Sequence, residues 1–281
     1  MSEAVLKQRK RFNFRGSLCM PYALFMALFV VFPLFLIVYY AFTDGNGKFS
    51  FGNWGTVFTN MTNWKVIGST LLIATITTII CILIAYPVAY LLSNKKYNKN
   101  KVLVYIFLLP MWINFVIRTV GLKALVNMLT SSLFGFDLTA TFPYAAIVVG
   151  MVYDYLPFAI LPLYNQMLKM DKNQIEAAAD LGANPIRVFY KVIIPMTVPG
   201  IISAATMTFM PTMSSYVIAY HMSNAKIPII GTLIEFYFNT GTGGYNSGAV
   251  LSLVMLIIIG FSLVAEKLSD KKDDSRKAGI W

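Results

Sequence analysis

The chain has 281 residues, 57% of them apolar and only 12% charged, with a mean hydropathy of +0.66. This balance excludes disordered, collagen-like, coiled-coil and disulfide-framework architectures. The net charge of +11 admits nucleic acid as a partner, but on so apolar a chain a basic excess more often marks loops retained on the cytoplasmic side of a membrane.

A bilayer core about 30 Å thick takes about 20 apolar residues of helix to cross, because every backbone polar group has to be satisfied within the segment. Six stretches meet that requirement, at residues 18–42, 66–92, 102–125, 142–168, 198–220 and 248–265. They predict an all-α, polytopic membrane protein with six transmembrane helices. Residues 1–17 then form a basic N-terminal segment, 18–265 the membrane domain and 266–281 a tail. The first stretch is about twice as long as the core of a signal peptide and lacks a small-x-small cleavage pattern, so it reads as a retained span. A seventh apolar patch, IPIIGTLIEFYF at 227–238, is too short to cross and reads as a re-entrant or interfacial helix. Cys19 and Cys81 lie within or beside the apolar runs and read as packing residues.

Lysine and arginine fix the orientation, since retained positive charge marks the cytoplasmic side. Eighteen of the twenty-three fall in the N-terminal segment, the second loop (Lys95 to Lys101), the fourth loop (Lys169 to Lys191) and the tail. The alternate loops hold only Lys48, Lys65 and Lys226. Both ends are therefore expected in the cytoplasm, which requires an even number of spans. The positive charge is explained by topology, and no nucleic-acid partner is expected.

Groups suited to catalysis are sparse. His221 is the only histidine, so a two-histidine metal site lacks its second ligand and a Ser–His relay would have to use this one residue at the end of the fifth span. No G-x-x-x-x-G-K-[ST] phosphate cradle is present. Ser223 and Lys226 make an S-x-x-K in a short external loop, a pattern that arises easily by chance. The chain is expected to be no enzyme and to carry no cofactor or metal of its own.

Between the fourth and fifth spans, residues 169–197 contain DKNQIEAAADLGANPIRVFYKVIIP, which spells two short helices and a turn. Asp171 is placed to cap the first helix, with Gln174 three positions on as in a capping box. Ala177, Ala178 and Ala179 give high helix propensity and a close-approach surface. Gly182 sits where a left-handed C-terminal residue is wanted, and Asn184 with Pro185 supplies the next cap and first helical position. Pro195 and Pro199 are expected to interrupt the pattern at the entry to the fifth span. A partner protein can grip such a hairpin; it also reads as a plain connector.

The segment resembles the EAA loop of the permeases of binding-protein-dependent ABC importers, a pattern of EAA, three residues, Gly, nine residues, Ile-x-Leu-Pro. Here Glu176, Ala177, Ala178, Gly182, Val192, Ile194 and Pro195 stand at that spacing, with two aliphatic positions replaced conservatively. The runs LLPMWINFVIRTVGLKALV, VVGMVYDYLPFAILPLY and IIPMTVPGIISAATMTFMP are similar to the first of the two paired permeases of spermidine/putrescine importers. The resemblance implies a type I importer permease in a bacterial cytoplasmic membrane. It implies a second homologous permease, two copies of a cytoplasmic ATPase that bind ATP and Mg, and an extracytoplasmic solute-binding protein as partners. It further implies that Glu176, Ala177, Ala178, Gly182 and Pro195 belong to an ATPase-coupling loop. Glu176 reads equally as a partner for a helix dipole.

Polar groups inside the bilayer cost about 2.5 to 3.5 kcal/mol each on insertion scales, so each invites a role. Asp154, flanked by Tyr153 and Tyr155 in the fourth span, offers charge and aromatic faces to the ammonium groups of a polyamine. Its alternative is an internal ion pair with Arg118. Glu235 in the short patch is expected at the external mouth, facing either an arriving cation or solvent. Trp112 and Asn114, around the expected Pro110 break in the third span, read as pore lining or as helix packing. The expected function is a polyamine permease subunit. A permease for another small solute and an ion-driven secondary transporter are the alternatives, and the second needs coupled carboxylates and repeats that this chain does not show.

Overall fold

The computed structural model describes residues 20–94, 102–241 and 244–278. The basic N-terminal segment, Cys19 and the lysines of the second loop lie outside the described residues. Twelve helices follow in order: α1 (Met20–Ala41), α2 (Gly52–Thr59), α3 (Met61–Ser93), α4 (Val102–Trp112) and α5 (Phe115–Phe134). Then come α6 (Leu138–Thr141), α7 (Pro143–Leu168), α8 (Lys172–Asp180), α9 (Pro185–Ser214), α10 (Val217–Met222), α11 (Ile230–Asn239) and α12 (Gly244–Ala278). α1, α3, α7, α9 and the Gly244–Val264 part of α12 are each long and apolar enough to cross a membrane; α4 and α5 pass the same test only as a pair, and counted as one broken span they bring the number to six.

The third span, expected at 102–125 with a break at Pro110, is divided near it into two helices and is longer than expected. α4 and α5 meet at 97°, and α5 runs on to Phe134. The cause is local: Pro110 lies in a closing 3-10 turn, Ile113 is extended, and Asn114 restarts the helix by accepting the Val116 amide at 2.9 Å. The fifth span also differs. Pro195 does not interrupt it; α9 runs unbroken for 30 residues from Pro185, thirteen positions ahead of the expected start. It accommodates Pro195 by winding Phe189–Ile193 as a π turn. That turn contains Lys191, whose carbonyl the proline ring would otherwise strike, and Pro195 has no N–H to offer it. α1 has the same solution, a π turn at Ala27–Val31 just ahead of Pro33.

α3, α7 and α9 form the centre of the bundle, and small residues let them approach: Cys81, Ala85, Ala89, Ala159 and Ala204 are fully buried there. In a bilayer, where apolar burial gives little drive, such close backbone contact is what holds helices together. At Gly200 a Cβ would stand 2.6 Å from the Gln166 Cβ, so only glycine permits this crossing of α9 over α7. A second cluster joins α1, α2, α11 and α12 through Ala41, Val57, Ile230 and Val250. A third seats α10 on α7 through Ile147, Met151, Ile218 and Met222. α8 and the start of α9 form a hairpin at one end of the bundle; α6, α10 and α11 lie at the opposite, far end.

Candidate functional site

At the hairpin, Asp171 caps α8 by accepting the Asn173 amide at 3.0 Å. This single bond replaces the reciprocal box expected with Gln174. α8 closes as the sequence requires: Gly182 takes φ +78°, the Ala183 amide donates to the Ala178 carbonyl at 3.1 Å and the Gly182 amide to Ala179 at 2.9 Å. This is the left-handed closure that glycine adopts without a Cβ penalty. Asn184 then accepts the Arg187 amide at 2.8 Å and Pro185 opens α9. Glu176, Ala177, Gly182 and Pro195 are exposed and Ala178 half-buried. Glu176 and Ile175 border a cleft of about 180 Å³ against Tyr90 and Ser93 of α3.

Beside these residues stand three that sequence reasoning passed over. Leu181 is 88% exposed, and Ile186 and Tyr190 are also well exposed, so the hairpin presents an apolar surface that its own chain leaves uncovered. The available signal was their position: large apolar residues directly flanking a turn rich in polar caps.

Deep in the bundle, Asp154 on α7 is 1% exposed and pairs with Arg118 of α5, Nε to Oδ1, at 2.5 Å. The Arg118 Nη1 also donates to the Pro110 carbonyl at 2.7 Å and Nη2 to the Asp154 carbonyl at 3.3 Å. The second carboxylate oxygen accepts from the Thr119 hydroxyl at 2.8 Å, and the guanidinium lies 5.5 Å from the Tyr153 ring centre. The internal pair named as an alternative is therefore present. Thr119, which completes it, carried no sequence signal. Tyr155 donates to the Pro211 carbonyl at 3.3 Å. Trp112 is 88% exposed at the α4–α5 bend, and Asn114 serves as the helix cap described above. Glu235 lies elsewhere, exposed on α11 at the far end and bordering a cavity of about 400 Å³.

Comparison with known proteins places this arrangement. Residues 82–270 match the family described as binding-protein-dependent transport system inner membrane component. The chain is 31% identical to the spermidine/putrescine transport system permease protein PotB of Haemophilus influenzae, over 88% of this chain and 92% of that protein. It is 31% identical to the PotB protein of Escherichia coli, over 74% and 80%. Among solved structures, a chain of a bacterial ABC transporter involved in the import of the acidic polysaccharide alginate superposes with a TM-score of 0.71 at 16% identity, covering 90% of this chain and 94% of that one. A chain of the MetNI methionine ABC transporter in inward-facing form gives 0.55 at 21% identity, over 74% and 94%. With its hairpin closed as the EAA pattern requires and more than half its length matched, the chain belongs to the inner membrane components of binding-protein-dependent transport systems.

Proposed function

We propose that the chain is the first permease of an ATP-driven polyamine importer, forming half of a path for spermidine or putrescine together with a second, homologous permease. Two cytoplasmic ATPase copies, which bind ATP and Mg, supply the energy, and one docks on the α8–α9 hairpin of this chain. An extracytoplasmic binding protein delivers the solute to the far end. The chain itself is non-catalytic. It resides in a bacterial cytoplasmic membrane with both termini in the cytoplasm, as the distribution of lysine and arginine favours.

The observation that carries this reading is the coupling of an exposed apolar hairpin to one continuous helix. Leu181, Ile186 and Tyr190 offer a docking face, and α9 extends from that face for 30 residues, roughly 45 Å at the rise of an α-helix. Displacement of the hairpin by ATPase closure is delivered along α9 to the α7 crossing at Gly200. Nucleotide-driven closure opens the path outward, and hydrolysis resets it inward. The solute follows because its affinity differs between the two arrangements.

The path takes Trp112, Asn114, Tyr153 and Tyr155 as its polar and aromatic lining, with Glu235 at the mouth. Asp154 is held by Arg118 in the arrangement described, and becomes available to an ammonium group when α5 moves away from α7. Similarity to the spermidine/putrescine permeases supports the substrate.

Reconstitution of the chain with its permease, ATPase and binding-protein partners in vesicles tests the reading. ATP-dependent uptake of labelled spermidine or putrescine is expected, and none by the isolated chain. Uptake by this chain alone would establish a secondary transporter instead. ATP-dependent uptake of a different solute, with neither polyamine carried, would move the chain to another permease of the same family.

A further inference from the structure

The far end of the bundle is built around an unusual turn. α10 ends at Met222, and Asn224 and Ala225 follow with φ of 52° and 59°, a left-handed conformation that side-chain-bearing residues resist. Side chains hold it in place. The Asn224 amide group accepts from Lys123 Nζ at 2.6 Å and donates to Thr139 Oγ1 at 3.1 Å. The Ala225 N–H donates to the Tyr220 carbonyl at 2.9 Å. The turn directs Ile227 and Pro228 back toward α11 and opens a cavity of about 400 Å³ between α10 and α11. That volume lies in the range of about 300 to 1,000 Å³ typical of small-molecule sites.

α11 is amphipathic. Ile230, Leu233, Ile234 and Tyr237 pack toward the cluster it shares with α12, while Thr232, Glu235, Phe236 and Asn239 border the cavity, faced by Tyr220 of α10. Phe236 and Tyr220 remain exposed there. The nearest cation in sequence, Lys226, is turned away and donates to the Ala140 carbonyl at 3.1 Å. Glu235 is exposed and borders the cavity, and among the described residues Arg118–Asp154 is the only salt bridge, so the Glu235 carboxylate has no salt-bridge partner there.

We propose that this cavity is an ammonium-binding subsite for one end of a linear aliphatic polycation. The Glu235 carboxylate supplies the charge, Tyr220 and Phe236 supply ring faces to the ammonium and its adjoining methylenes, and Asn239 supplies an acceptor for its N–H groups. A carboxylate next to aromatic faces in a partly enclosed space suits an alkylammonium better than an anion or a neutral sugar. The inference rests on the polyamine reading above and adds a specific first contact at the far-end mouth, well separated from the hairpin.

The test is photolabelling of the complete transporter in lipid nanodiscs with a diazirine-bearing spermidine analogue, mapped by mass spectrometry. Label is expected within residues 220–239, competed by unlabelled spermidine and weakened by salt as for other solvent-accessible charge contacts. E235Q should reduce that label about fivefold and F236A about threefold, in the range for a partly exposed charge or cation–π contact. E235D should retain most of it, and none of the three should change the melting temperature. Equal labelling in E235Q, or no label in this segment while spermidine uptake proceeds, overturns the subsite. A parallel arm uses a diazirine-bearing butylammonium probe. If the wild-type assembly carries neither spermidine nor putrescine but this probe still labels the segment in a Glu235-dependent way, the ammonium site stands and the polyamine reading falls. If neither probe labels it, the site is refuted regardless of what the assembly transports.

Discussion

Arg118 and Asp154, thirty-six positions apart, meet at 2.5 Å in the interior of the bundle, and the same guanidinium holds the Pro110 carbonyl at the end of α4. One side chain thereby ties α4, α5 and α7 together at the 97° bend. With the Arg118 side chain only 7% and that of Asp154 1% exposed, the pair is a buried junction between these three helices, whatever its role toward a solute.

Removing either charge alone leaves the other buried without a partner, which costs about 3 to 5 kcal/mol for such pairs. D154N and R118M should therefore each lower the melting temperature of the purified assembly strongly, while the R118M/D154L double variant recovers most of the loss. Uptake by the double variant separates the two roles of Asp154. Near-normal spermidine transport there would remove the carboxylate from the path, and continued loss of transport in a stable assembly would keep it.

Gly182 turns the hairpin at φ +78°, and a β-branched residue in that conformation costs about 1 to 2 kcal/mol. G182V is expected to insert normally yet misdirect Leu181 and the start of α9. ATP hydrolysis would continue while uptake falls, whereas G182N, which tolerates the left-handed region, keeps most coupling. The ratio of solute imported to ATP hydrolysed is the measurement; an unchanged ratio in G182V would show that the turn carries no force.

At Gly200 any side chain meets Gln166, which also donates to the Met196 carbonyl at 2.9 Å. G200V should force α9 from α7 and cost about 1 to 3 kcal/mol, as overpacking does. G260A, where a Cβ meets nothing within 4 Å, should be silent. Thermal unfolding of the two variants in one lipid mixture checks this directly.

At the far end, the Thr139 hydroxyl donates to Asp137 and holds its carboxyl below the usual carboxylate range, with smaller help from the Ala140 and Thr139 amides. A depressed folded-state pKa contributes stability that is present above the ordinary carboxylate pKa and is lost as pH falls through the depressed value. Wild type should thus lose melting temperature on acidification slightly more steeply than D137N, whose side chain does not titrate. Parallel acid profiles for the two proteins would show that Asp137 caps α6 without electrostatic consequence.

Much of this was legible in the sequence. The hairpin's closure followed from Gly182, Asn184 and Pro185, because capping chemistry is local and acts within a few residues. Five crossings followed from length and hydropathy, with the bent α4–α5 pair making six when counted as one span. What was hidden depends on more than one element. The break near Pro110 was legible from the proline, but its 97° angle and the reach of Arg118 eight residues back to the Pro110 carbonyl were not. Thr119 acquires its role only because α5 meets α7. The unbroken passage through Pro195 is hidden in the sequence because proline ordinarily stops a helix, whereas a single wide turn absorbs it.

That wide turn has a further effect on how α9 tolerates substitution. One extra residue per loop of backbone rotates everything downstream by about 100° relative to an uninterrupted α-helix. Pro185 to Val188 and the stretch beyond Ile194 therefore obey separate angular registers, although they share one rod. A substitution on the exposed side of the short segment therefore leaves the buried stripe of the long one untouched, and under the docking proposed above the hairpin surface can be altered without disturbing how the membrane portion assembles.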